Sequence, residues 1–363
     1  LEKKKDVITV AIAQSEKYEI DQSKFRKIIS YPFLYDISDE IRSIFAKSKY
    51  LGVDELSPAT IKAGMQTGKN EKYLYKKWQL PKELIGTQFY PYAKGGGFSK
   101  YSNDLFDYID WRDNAKIHYN TSKKARKNYL SSYFSENDNS LFLKGAITYS
   151  DITSENIFSA RLLPPGCIFD VKGSCIFSDE IDNSYLLGFI NCKFVNYILK
   201  KLNPSPSFQV GDLQRVPYKI PTEELKQAVI IRTNRARELK EYLLGFNYLS
   251  DYYHNVELAF GFNQGAATVL DAYKLYIKKI ESVENELFGI QKEINEIIYK
   301  IYELSEEDIK KIEEEIPDKI MKPKDNNIKY AVVNYLRMIV KDSINNKESK
   351  LFTDEEIVII IKK

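Results

Sequence analysis

The densest chemistry in this sequence is cationic. Arg112, Lys116, Lys123, Lys124, Arg126 and Lys127 stand close together with only Asp113 opposing them, and His118, Tyr119 and Tyr129 are interleaved. Ammonium and guanidinium groups at that density attract a polyanion, and a nucleic-acid duplex rewards each contact by releasing condensed counterions. The same run also suits a solvated helix face. Two loops share this character. Gln66-Thr67-Gly68-Lys69-Asn70 combines small polar residues with one lysine, so its backbone amides can approach a phosphate, although an ordinary surface turn has the same composition. Lys94-Gly95-Gly96-Gly97-Phe98-Ser99-Lys100 sets three glycines between two lysines. Consecutive glycines cost chain entropy and suit places where φ is positive or another backbone comes close, in a groove contact or in a plain hairpin turn. Further along, Ser150, Ser159, Arg161 and Lys172 are the polar groups of a run of short strands. Arginine can donate a bidentate pair to guanine, whereas serine and lysine make phosphate or single base-edge contacts. Arg161 is equally suited to pair with Asp170.

Other chemistries find little support. Cys167, Cys175 and Cys192 lack CxxC spacing and have only His118 and His254 to join, so neither a structural zinc nor a disulfide framework is suggested. A reducing cytoplasm fits such cysteines. No apolar run approaches the roughly 18 residues that span a bilayer, and no signal-peptide pattern follows Leu1. The absence of an initiating Met suggests a C-terminal portion of a longer protein. At 363 residues, 43% hydrophobic and 29% charged, the sequence is that of a globular protein of two or three domains, and a net charge of +3 is too small to demand a nucleic-acid partner by itself.

Short strands and packed helices must position these groups. Residues 146–149, 158–163 and 167–171 are β-type runs broken by Pro164-Pro165-Gly166 and Lys172-Gly173, which predicts a small antiparallel sheet. Leu187, Ile190, Phe194, Ile198 and Leu202 form one helical stripe, so a single helix over 186–202 is expected to lie against that sheet. Residues 208–213, stopped by Pro217, read as a strand or sharp turn. Upstream, residues 7–12 read as a strand and 38–47 as a helix capped by Ser38. Downstream, a helix is expected over 221–244, ended by Gly245, with Ala228, Ile231, Ala236 and Leu239 buried. A longer one follows from about residue 267, where Ile280, Val283, Leu287, Ile290, Ile294, Ile297, Ile301 and Leu304 make a heptad seam. That seam can pair with the preceding helix or with another molecule, and the attached helix is the favoured partner. Ser305 caps the next helix, with Asp308 closing a capping box. Residues 330–339 read as a short amphipathic helix, and 355–361 end in an apolar run that packs on the bundle.

Several of these runs carry a resemblance. Gly145-Ala146-Ile147-Thr148-Tyr149-Ser150, Phe158-Ser159-Ala160-Arg161, Gly166-Cys167-Ile168-Phe169-Asp170, Leu187-Gly188-Phe189-Ile190-Asn191 and Asn203-Pro204 through Phe208-Gln209-Val210-Gly211-Asp212 resemble, in order and spacing, the target-recognition region of adenine-specific DNA methyltransferases. The similarity is to the TaqI-like and PglX-like kind, the latter belonging to BREX phage-exclusion systems, and to fused restriction-modification enzymes. The loop at 61–70 resembles that group's GxxTGxN, and 91–101 its PYxKGGxxRKW, with Ser99 where the group has Arg. Trp111-Arg112 resembles VxNWxxDG, and 294–307 resembles INEIVYELYGLTEEE.

The resemblance implies an α+β fold: a small antiparallel-sheet recognition domain with packed helices, then a helical module with a long coiled-coil-like helix. The expected division is 1–52 as linker, 53–220 as recognition domain and 221–363 as helical module. Gln66, Thr67, Lys69, Asn70, Lys94, Lys100, Arg112, Lys123, Lys124, Arg126, Lys127, Ser150, Ser159, Arg161 and Lys172 are its expected DNA contacts. Adenine methylation also needs a Gly-rich loop for S-adenosylmethionine and an Asn/Asp-Pro-Pro-aromatic loop around the flipped base. Asn203-Pro204-Ser205-Pro206 lacks the second proline and the aromatic, and Leu163-Pro164-Pro165-Gly166 lacks the amide and the aromatic. This chain is therefore expected to bind double-stranded DNA without catalysing, the cofactor and the methyl transfer belonging to an N-terminal methyltransferase domain of the parent. The alternative is a stand-alone specificity subunit of type I design, whose helices dock separate methyltransferase subunits.

Overall fold

The computed structural model describes residues 34–54, 56–113, 115–119, 144–153, 157–319 and 328–345, with isolated positions before residue 34. The expected strand at 7–12, Lys123, Lys124, Arg126 and Lys127 of the basic run, and the apolar run at 355–361 lie outside them.

The first helix among the described residues, α1 (Asp39–Lys47), starts where Ser38 Oγ accepts the Ile41 amide at 3.0 Å. Strands β1 (Lys49–Tyr50), β2 (Thr60–Lys62), β3 (Leu74–Lys76), β4 (Phe89–Ala93), β5 (Asp107–Asp110), β6 (Ala146–Tyr149), β7 (Ala160–Leu163), β8 (Ile168–Phe169) and β9 (Cys175–Phe177) follow, with the single-turn helix α2 (Asn70–Tyr73) before β3. Strands β2 to β9 build two four-stranded sheets, ordered β2-β9-β6-β7 and β3-β5-β4-β8. All pairs are antiparallel except β4 with β8. The expected sheet of three consecutive runs is thus corrected. The first two pair as β6 and β7, but the third, β8, crosses to the other sheet, and Cys175–Phe177 takes its place beside β6.

The strands between these layers are apolar on both sides. Along β6, Ile147 and Tyr149 enter a core shared with helices, while Ala146 faces a second core between the sheets that includes Met65, Tyr92, Ile109, Ile168 and Phe169. Alternation puts successive side chains into different cores, so the strand reads as a continuous apolar run.

The expected single helix over 186–202 is two: α3 (Asn183–Ile190) and α4 (Lys193–Leu202). Asn191 breaks the run. Its amide oxygen accepts the Ala160 N–H at 2.9 Å and its amide nitrogen donates to the Ala160 carbonyl at 2.8 Å, fixing the turn against β7. The run expected as a strand or turn at 208–213 contains a short helix, α5 (Val210–Gln214), begun by the Asp212 carboxylate accepting the Gln209 amide. After it, β10 (Pro217–Tyr218) pairs with β1.

Helix α6 (Glu223–Leu244) stops at Gly245, as the sequence indicates, and Thr222 caps its start. Of its expected buried residues Ala236 and Leu239 are covered, together with Val229, Thr233 and Lys240, whereas Ala228 is half-buried and Ile231 is 65% exposed. After α7 (Glu257–Asn263) comes the 34-residue α8 (Val269–Tyr302), about 50 Å long, whose seam packs on α6 within the same chain. Arg232–Glu293 at 2.6 Å and Arg235–Glu286 at 2.8 Å flank the pair and show it to be antiparallel. Ser305 accepts the Asp308 amide to start α9 (Glu306–Glu315), and α10 (Ile328–Asn345), longer than expected, packs on α7 and on the start of α8. Among the described residues no helix is long and apolar enough to cross a membrane.

Candidate nucleic-acid interface

Parallel pairing of β4 with β8 decides the site, because it sends the loops that follow both strands out at the same end of their sheet. The Asp170 amide donates to the Ala93 carbonyl at 2.8 Å, and Tyr92 OH donates to the Asp170 carboxylate at 2.5 Å. Residues 63–70 join them through Met65, whose amide donates to Phe169 and whose carbonyl accepts from Val171, each at 2.9 Å. Glycine permits the approach. Gly95 has φ +74°, and a Cβ there would fall 2.0 Å from the Lys172 carbonyl oxygen. From the other sheet, the end of β6 supplies residues 150–153. The Asp151 amide donates to the Lys172 carbonyl at 3.1 Å, and the Asp151 carboxylate holds the Lys172 ammonium at 2.7 Å and accepts from Ser207 Oγ at 3.3 Å. The Phe208 amide donates to the Asp151 carbonyl at 2.7 Å, which adds the loop at 203–208.

On this cluster Gln66, Lys69, Asn70 and Lys172 are exposed and Lys94 is half-buried. Thr67 is buried and hydrogen-bonds the Asn70 side chain, so it shapes the loop from within. Lys100 is half-buried, its ammonium donates to the Asn191 carbonyl at 3.0 Å, and burial pulls its pKa down to about 8. Ser150, Ser159 and Arg161 lie beneath the surface, where base edges do not reach them. Ser150 Oγ donates to the Gly97 carbonyl at 2.9 Å, the Ser99 amide donates to Ser159 Oγ at 3.1 Å, and Arg161, 3% exposed, donates to Ser150 Oγ at 3.1 Å. Together they form the floor that holds the glycine loop. Arg161 makes no ion pair with Asp170 among the described residues. The physical reason is register: Arg161 stands opposite Thr148 in a strand buried beneath that loop.

Arg112 is placed elsewhere. It follows β5, which runs antiparallel to β4, so it emerges at the opposite end of the sheet. There the nearly buried Asp110 clamps its guanidinium at 2.5 to 3.1 Å, and the Phe89 ring lies 5.8 Å away. His118 beside it is a core residue, 0% exposed, bonded to the Asp110 carbonyl, and burial lowers its pKa. Lys123, Lys124, Arg126 and Lys127 lie outside the described residues.

Sequence reasoning missed Asp151, Tyr92 and Asp170, the residues that tie the loops together. Asp151 directly follows Ser150 and was within reach of inspection; Tyr92 and Asp170 gain their meaning only from strand pairing across 78 positions. Among the described residues no cluster of metal-ligating side chains is present, and the three cysteines are free and buried. Burial pushes the thiols of Cys167 and Cys192 up to about 12, away from nucleophilic use. What the exposed cluster offers is a set of hydrogen-bond donors and cations on loops tied together by main-chain hydrogen bonds.

The chain is similar to curated adenine methyltransferases. It is 26% identical over 306 residues to the adenine-specific methyltransferase PglX of Lacticaseibacillus casei (strain Zhang), covering 80% of this chain and 24% of that protein. It is 24% identical over 297 residues to the adenine-specific methyltransferase BrxX of Escherichia coli O9:H4 (strain HS), covering 77% and 22%. The chain thus spans about a quarter of the length of these relatives. The solved type IIL restriction-modification enzyme MmeI in complex with DNA aligns over 80% of this chain and 36% of its own at 11% identity and a TM-score of 0.42, a distant likeness. No protein-family profile matches the chain.

Proposed function

We propose that this chain is the DNA target-recognition region of an adenine-N6 DNA methyltransferase of a phage-defence or restriction-modification system. Residues 53–220 carry the recognition domain and 221–363 the helical module. S-adenosylmethionine binding and methyl transfer belong to a methyltransferase domain N-terminal to this region. The observation that carries the reading is the convergence of loops 63–70, 94–100, 150–153, 170–174 and 203–208 on one end of the sheets, held by main-chain hydrogen bonds and presenting Gln66, Lys69, Asn70, Lys94 and Lys172. Phosphate contacts from such groups fix register on a duplex, and base-edge contacts beside them select sequence. Similarity to PglX and BrxX supports the association with adenine methylation.

Titration of labelled duplex with the chain at low and moderate salt tests this. Binding that weakens steeply with salt is the expected outcome, and no binding at low salt overturns it. Calorimetry with S-adenosylmethionine is expected to show no heat of binding, and a micromolar site would move the catalytic boundary into this chain.

A further inference from the structure

We propose that Ile152, backed by Pro204 and Pro206, forms an apolar ridge that reads thymine methyl groups; this rests on the nucleic-acid reading above. Ile152 is 52% exposed. A single exposed isoleucine is ordinary on any surface. This one differs because the backbone beneath it is pinned on all sides while the side chain stays out. Ser150 before it is tied to Gly97, Asp151 to Lys172 and Ser207, Ile152 itself bridges to Ser207, and the Thr153 amide donates to the Pro206 carbonyl at 3.4 Å. Segment 150–153 therefore lies in the middle of the loop cluster. Pro206 adjoins it on the loop at 203–208, where Pro204 and Pro206 are both exposed. Prolines have no N–H for a phosphate, and isoleucine has no polar side-chain atom, so the ridge takes no part in electrostatic attraction.

Cations border it. Lys172 is on the adjacent loop and Lys69 on the loop beyond, joined through the Met65–Asp170 bridge. Charge on one side of an apolar crest complements one wall of a duplex groove, where phosphates line the edges and base edges form the floor. In the major groove the one base-edge group that an aliphatic side chain favours over water is the thymine 5-methyl. Asp151 serves as the positioning residue: it fixes Ile152 by its backbone and holds Lys172 and Ser207 on either side with one carboxylate.

The test selects binding sites from a random-sequence duplex pool with the full chain and with Ile152→Ala, then replaces each thymine of the selected site by uracil, which removes only the methyl. Wild type is expected to bind about fourfold more weakly when one or two of these positions are replaced, the worth of one buried methyl group. Ile152→Ala is expected to show no such weakening at those positions and an unchanged salt slope. Unchanged site selection by Ile152→Ala, with uracil effects intact, overturns the ridge; if Lys69→Ala meanwhile weakens binding, the DNA-binding reading survives alone. Absence of duplex binding by wild type overturns both. Because Ile152 is exposed, its substitution leaves the cores untouched, and a thermal melt equal to wild type verifies that each variant is folded.

Discussion

The three consecutive glycines do different work. Gly95 is required by its surroundings, since a methyl there meets the Lys172 carbonyl, whereas Gly96 has φ +95° with open space around it. Gly96→Ala should cost about 1 kcal/mol of backbone strain, while Gly95→Ala should cost more and also push loop 170–174 away, as read by denaturant melts of both variants. Lys100 offers a second measurement at this scale. Its pKa falls from 10.5 to about 8, chiefly through burial. Between those values the unfolded chain holds a proton that the folded chain has released, so this group makes stability rise with pH across that window, and its full charge penalty is present below about pH 8. Lys100→Met lacks the effect. The stability of the variant relative to wild type should therefore fall as pH rises from about 8 towards 10, and a pH-independent difference in urea melts would show that the ammonium is solvated. Ser150, Ser159 and Arg161 were readable as functional polar groups from sequence, but their burial was not, because nothing local distinguishes a strand face under a loop from one open to a ligand.

Helix ends were the most legible elements. Ser38 and Ser305 each accept the amide three residues ahead, a local geometry that sequence encodes directly. The break between α3 and α4 was not legible, since the apolar stripe keeps its spacing through it and the cause is the tertiary bond of Asn191 to Ala160. The crossing of β8 to the second sheet has the same origin, its partner Tyr92–Ala93 lying far upstream. Ile231 was misplaced because α6 packs between α3 and α8, so the covered face follows two neighbours instead of one. The α6–α8 pairing was legible from the heptad seam, and its energetics divide sharply. Leu287→Ala, at a 5% exposed seam position, should cost about 2–5 kcal/mol, measured by urea melts. The flanking Arg235–Glu286 pair, nearly half exposed on each side, should show a coupling of no more than about 1 kcal/mol in a double-mutant cycle. A larger coupling would mean that the ion pairs rather than the seam set the alignment.

At the scale of the molecule, cationic groups among the described residues stand at both ends of the second sheet: the loop cluster at one, Arg112 at the other. Changing Lys123, Lys124 and Lys127 to Ala should flatten the salt dependence of DNA binding by about 0.9 for every phosphate that is no longer neutralised, without altering the sequence selected. If Lys69→Ala and Lys94→Ala flatten it further and additively, one duplex spans both ends. No additivity would confine the DNA to a single end. The turn at Asn191 has one more consequence. Strand β7 closes one side of its sheet, and its outward main-chain groups are occupied by Asn191 and by Tyr101, whose amide donates to Ala160 at 2.9 Å and whose carbonyl accepts from Leu162 at 3.1 Å. An uncovered edge invites strands from other molecules. Asn191→Ala should therefore be revealed less by weakened binding than by its behaviour at high concentration: poorer refolding yields, light scattering that grows with protein concentration, and a chain that remains soluble only when dilute.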